Sequence, residues 1–171
     1  SYLYTGTTRA ALPMAPTAAA NTTTANEDIV ILGNGITRTI DVGANESAQQ
    51  VAAKINVETA NTGVAATAKT YAKLAAEDNP PGTFNISING ASTGNFLMGS
   101  NSVATAVSAI NAISGSSGVS AEASPDGTFV TLHNAQGADI AFDATVSSDK
   151  TTITINPTSN FSKNQIVYAA L

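Results

Sequence analysis

The chain has 171 residues, a formal net charge of −5 and 43% hydrophobic residues, yet only 11% are charged and 5% aromatic, with no Trp and no Cys. Its few Lys and Arg are scattered singly and lay down no phosphate-neutralising stripe, so nucleic acid and anionic membranes are poor partners. The lack of Cys removes disulfides, thiolate catalysis and zinc–cysteine sites, and no run of roughly 18 apolar residues is present to span a bilayer.

Residues 1–26 read as an extended or irregular lead-in and base segment. Tyr2 and Tyr4 stand near its start, Pro13 and Pro16 interrupt the Ala-rich stretch from Ala10 to Ala20, and a polar run follows from Asn21 to Thr24. With neither an initial Met nor a basic leader, the chain is expected to be a piece of a longer protein. Low Lys content, no Cys and a surface of Thr, Ser and Asn fit an extracellular protein that leaves the cell unfolded and folds without oxidative help.

A first unit is expected over residues 27–78. The apolar run Ile29 to Leu32 leads into Gly33-Asn34-Gly35, and Ile36 to Val42 continues as the second arm of a hairpin closed by an Asn-Gly turn. Ser47 followed by Gln50 has capping-box spacing, and Ala48, Val51, Ala52 and Ile55 form one apolar stripe of a helix of ~12 to 15 residues. Thr59 to Gly63 ends that helix. A short extended tail runs to Leu74, and the linker Glu77 to Gly82 marks the internal boundary.

Residues 79–146 form the second unit. Phe84, Ile86 and Ile88 alternate, Asn89-Gly90 turns, Phe96 to Met98 returns, and Val103, Ala106, Val107 and Ile110 repeat the helical stripe before Ser114 to Gly118 stops it. Val119 and Ala121, then Phe129 to Leu132 after Asp126-Gly127, then Ile140 to Phe142 after Gln136-Gly137, read as a small antiparallel meander. Residues 147–171 are expected to be returning base strands, with Gln165 to Leu171 lying beside Ser1 to Tyr4.

The two units are copies of one plan. At an offset of 55 positions Asn34-Gly35 falls on Asn89-Gly90, Ser47 on Ser102, Ile55-Asn56 on Ile110-Asn111, and Gly63-Val64 on Gly118-Val119. The matched positions are a turn, a helix start, a helix face and a strand entry. They preserve backbone geometry and carry no set of reactive groups.

Reactive constellations are correspondingly thin. His133, the one imidazole, lies at a strand end beside a turn, where a structural or surface role is expected. No Gly-x-Ser-x-Gly elbow accompanies it. Asp139 and Asp143, with Asp126 or Asp149, offer oxygen ligands to calcium, but without EF-hand spacing they read as solvated carboxylates. Gly33-Asn34-Gly35 opens a dinucleotide fingerprint without its third glycine, and a strand follows it instead of a helix. Glu27-Asp28, Glu77-Asp78 and Asp41 read as isolated, solvated charges. No catalytic, cofactor-binding or metal-binding residue is assigned, and no cofactor is expected.

Gly35-Ile36-Thr37-Arg38-Thr39-Ile40-Asp41-Val42-Gly43, then Glu46 through Asn56, then Gly63-Val64-Ala65-Ala66, resembles the flagellin hook IN motif of bacterial flagellins and filament-cap proteins. The second copy resembles it more loosely, through Val103 to Asn111, Gly118 to Ala121 and Gly127 to Leu132, with Gly94-Asn95 interrupting the preceding strand. The resemblance implies the central outer, variable region of a flagellin, extracellular on the bacterial flagellum, a non-enzymatic structural part of the filament supporting motility. Its implied partners are neighbouring flagellin subunits, and the isolated chain is expected to be a monomer. Alternatives are a filament-cap fragment and a carbohydrate-binding or adhesin-like module, the latter testable at Tyr71. The expected fold is α+β: two tandem β-hairpin-helix-strand units with antiparallel sheets and the chain termini paired at the base.

Overall fold

The computed structural model describes residues 2–5, 12–13, 17–18, 23–76, 79–146, 152–156 and 165–170. Its elements in chain order are β1 (Tyr2–Thr5), β2 (Leu12–Pro13), β3 (Thr17–Ala18), β4 (Ile29–Gly33), β5 (Ile36–Ile40), α1 (Ala48–Val57), α2 (Thr59–Thr62) and β6 (Ala65–Ala76). The second half adds β7 (Gly82–Ile88), β8 (Ala91–Met98), α3 (Ala104–Ala112), α4 (Ser114–Ser117), β9 (Ser120–Ala123), β10 (Val130–Asn134), β11 (Ala141–Val146), β12 (Thr152–Asn156) and β13 (Gln165–Ala170). The fold is α+β with antiparallel pairing between its strands. Two compact units divide it: residues 20–70, 134–139 and 163–171, and residues 1–19, 71–133 and 140–162.

In the unit of residues 20–70, β4 and β5 form a hairpin with Ile29 opposite Ile40 and Gly33 opposite Ile36. Asn34 and Gly35 close it at positive φ of 50° and 72°, the two-residue turn whose twist matches the flanking strands. Strand alternation points Ile31 and Ile40 inward, where they meet Ala48, Val51, Ala52 and Ile55 of α1 and Val64, Ala66 and Ala68 beyond it. Ser47 caps α1 in a complete capping box: its Oγ accepts from Gln50 N at 3.2 Å, and Gln50 Oε1 accepts from Ser47 N at 2.8 Å.

The single helix expected of each unit is two pieces. α1 stops at Val57, Glu58 leaves helical geometry, and α2 supplies one more turn before Gly63 closes it at φ 72°. Gly63 N–H donates to Thr59 O at 2.8 Å, a left-handed cap that a residue without Cβ adopts at no steric cost. The expected short tail is the twelve-residue strand β6, whose residues 65–70 pair with β13. Residues 134–139 join this core as a loop: Asn134 Oδ1 accepts from Gln136 N and Ala138 N, and Gly137 O accepts from Gln49 N at 3.0 Å in the first turn of α1. A Cβ at Gly137 would lie 2.3 Å from that of Ala68, so only glycine fits.

The second unit repeats the hairpin, helix pair and strand around a larger core. Phe84, Ile86, Ile88, Met98, Ala106, Ile110, Val119, Val130 and Leu132 have no exposed surface, and each large side chain so covered contributes about 1.5–3 kcal/mol. Gly94 at φ 69° and a register shift between Asn85 and Ser87 make the interruption at Gly94-Asn95 a β-bulge. It absorbs one extra residue, so that Phe96 and Met98 take the buried places that Ile40 and Val42 hold in the first copy.

Three sequence expectations give way here. Only the first half of the meander forms: β9 and β10 pair as the expected hairpin, but β6 takes the other edge of β10, so β11 pairs instead with β7, and β2 and β3 pair with β11. The lead-in does pair with the returning segment, through β1 and β12, but among the described residues the last strand does not lie beside the first: β13 pairs with β6. Ser102, at the position matching Ser47, bridges to Gly99, so Val103 takes the N-cap position of α3 and supplies no side-chain cap.

Candidate functional site

β9 and β10 pair antiparallel, with Ser120 opposite His133 and Glu122 opposite Thr131, and β6 lies on the other side of β10. Alternation sends Val130 and Leu132 into the core and Thr131 and His133 to the opposite face. Together with Tyr71, Ser120, Ala121 and Glu122 they line a depression of about 380 Å³. The rings of Tyr71 and His133 stack at 4.7 Å and 16°. Beside them, Lys73 Nζ lies 4.3 Å from the centroid of Phe129, a cation–π contact.

This arrangement gives His133 a packing role. One face of each ring is spent on the other, and the Ser120 hydroxyl donates to the His133 carbonyl at 3.4 Å, not to its imidazole. Ser114 to Gly118 is the one-turn helix α4 and its left-handed cap, as the helix-stop reading required. Sequence reading missed the Tyr71–His133 stack. Only the pairing of β6 beside β10 brings them together, and no local signal reports that.

The acidic residues are dispersed. Asp126 Oδ1 accepts from the Ser124 hydroxyl at 2.6 Å, the Thr128 hydroxyl at 2.7 Å and Thr128 N at 3.2 Å. These bonds to the charged form, from Ser124 first and Thr128 next, hold its pKa down to about 2. The carboxylate is thereby committed to its own loop. Asp139 and Asp143 fall in different compact units, Asp139 before β11 and Asp143 within it; Asp149, Glu77 and Asp78 lie outside the described residues. Among the described residues no three His, Cys, Asp or Glu side chains gather in one place.

Glu27 and Asp28 are not the free charges expected. Asp28 Oδ1 accepts from Val42 N at 3.1 Å and Glu27 Oε2 from Thr24 N at 3.4 Å. Backbone donors at loop ends attract short carboxylates, and spacing alone did not disclose it.

The most repeated geometry is the one that sets backbone shape. Asn56 Nδ2 donates to Ala66 O at 2.9 Å while its Oδ1 accepts from Ala66 N at 2.7 Å; Asn111 makes the same two bonds to Ala121, at 2.9 and 2.8 Å. Thr62 Oγ1 accepts from Val64 N at 3.2 Å, and Ser117 Oγ from Val119 N at 3.1 Å. Each clamp ties the end of a helix to the strand that follows. Only the repeated Ile-Asn and Gly-Val dipeptides signalled it in the sequence. Compared with known proteins, the chain matches no protein-family model and no curated protein sequence.

Proposed function

We propose that the chain is a structural module of the bacterial flagellar filament: the surface-exposed outer domains of a flagellin, exported and extracellular, meeting neighbouring subunits and presenting a variable face. The observation that carries this reading is the duplicated clamp. Asn56 and Asn111 make the same reciprocal bonds at the end of the helix in each hairpin-helix-strand copy, within segments that resemble the flagellin hook IN motif. Selection that twice preserves a helix-to-strand joint, while Arg38, Glu46, Lys54 and Glu58 of one copy become Thr93, Asn101, Ala109 and Ile113 in the other, maintains a shape and not a reaction.

Immunogold electron microscopy with antibodies to this chain, on cells that express it, tests the proposal. Label along the whole filament is expected. Label confined to the filament tip would move the assignment to the cap protein, and label on the cell body alone would overturn both. A second reading, a carbohydrate-binding module, draws on the depression beside Tyr71. It requires saturable glycan binding lost in Tyr71→Ala.

A further inference from the structure

The outer edge and face of β4 differ from those of its duplicate. Val30 and Leu32 are 66% and 71% exposed on the solvent face of the β4–β5 hairpin, and β4 pairs with no other described strand. At the matching positions of β7 stand Asn85 and Ser87, both half-buried, and the edge is filled by β11 in antiparallel register, Asp143 opposite Ser87 and Thr145 opposite Asn85. The start of β11 is gripped as well: Asn89 N donates to Ala141 O at 2.9 Å, and Asn89 Oδ1 accepts from Ala141 N at 2.8 Å. Asn34 occupies the matching turn position in the first copy, at φ 50° against 51° for Asn89. The first copy therefore has the same strand-receiving edge with no strand of this chain on it among the described residues.

From this edge we infer that β4 pairs with β4 of a second copy, antiparallel about a two-fold axis at Ile31. The two-residue turn makes Gly33 and Ile36 a hydrogen-bonded pair, so Gly33, Ile31 and Ile29 spend their backbone groups on β5. The N–H and C=O groups of Val30 and Leu32 point to the open edge. Placing Ile31 opposite its mate sets Val30 opposite Leu32 of the other copy, twice, which satisfies these groups and covers both exposed side chains. The same register brings Asn34 to residue 28 of the mate, as Asn89 meets Ala141. Antiparallel identical strands give a closed, self-complementary interface. β4 also has none of the Lys, Pro or bulge devices that blunt exposed edges, whereas the hairpin of the second copy carries a bulge. Five residues a side is a small contact, so the dissociation constant is on the order of 0.1–1 mM.

Sedimentation equilibrium of the chain from about 10 µM to 2 mM tests this. The weight-average mass is expected to rise towards twice the monomer, with amide exchange slowing at Val30 and Leu32 as it does. Leu32→Lys, at an exposed position that leaves the core intact, is expected to stay monomeric throughout. Leu97→Lys, on the second hairpin, is expected to associate like the parent. A chain that remains monomeric at the highest concentration, or a Leu32→Lys variant that associates unchanged, would overturn the proposal; the first would leave the edge to a strand of another protein. This inference stands apart from the filament assignment, since immunogold label can succeed or fail whatever the chain does in the centrifuge.

Discussion

The two copies share a backbone plan but hold it by different means. In the first, the core is the smaller, and charge and capping supplement it: Lys54 Nζ lies 2.5 Å from Glu46 Oε1, Arg38 Nε lies 2.8 Å from Glu58 Oε2, and Ser47 closes a capping box. In the second, the equivalents of those four charges are Thr93, Asn101, Ala109 and Ile113, α3 has no side-chain cap, and a wider core containing Phe84, Phe96 and Met98 carries the load. What survives in both is the Asn-Gly turn, the left-handed glycine after the short helix, and the Asn clamp. Joints are kept and packing is free to drift.

The largest effect expected from breaking this comparison is in the second core. Ile110→Ala removes a wholly buried side chain and is expected to destabilise its unit by about 2–5 kcal/mol in denaturant unfolding. The clamps come next. Asn56→Ala strands the N–H and C=O of buried Ala66 and is expected to cost about 1–3 kcal/mol. Asn111→Ala is expected to cost less, because water reaches the exposed bonds at Ala121. Ser47→Ala is expected to lose about 1 kcal/mol, whereas Ser102→Ala, with no cap to lose, leaves stability unchanged in the same experiment.

Acid separates the copies more finely. Hydrogen bonds from Lys54 and Gly43 hold the Glu46 carboxyl below its ordinary 4.5, and those from Asn61 and Arg38 do the same for Glu58. A carboxylate depressed by folding stabilises above its unfolded pKa, and that contribution is lost as pH falls through the folded one. Amide protection around α1 and α2 is therefore expected to decline as pH drops below 4.5. Around α3 and α4 the matching residues, Asn101 and Ile113, do not titrate and no such decline is expected. The β9–β10 loop keeps part of its Asp126 contribution until pH approaches 2.

Much of this comparison was legible in the sequence. The turns at Asn34-Gly35 and Asn89-Gly90, the capping box at Ser47 and the stripes ending in Ile55 and Ile110 are local signals, and the structure realises each. The misses were non-local. Alternation at Ile140 to Phe142 announces a strand but not its partner, and β10 was already paired on both edges. The destination of β13 depended on how far β6 extends, which the weakly patterned run from Ala65 to Ala76 does not disclose. The Tyr71–His133 stack depended on both facts.

The central claim, that the duplicated positions fix one backbone twice, is tested most directly by solution NMR of the chain. Through-space contacts from the Asn56 side-chain amide to Ala66 and from that of Asn111 to Ala121, with positive φ couplings at both Asn34 and Asn89, are the predicted result. Clamp contacts in one copy only, or opposite signs of φ at the two turns, would contradict it.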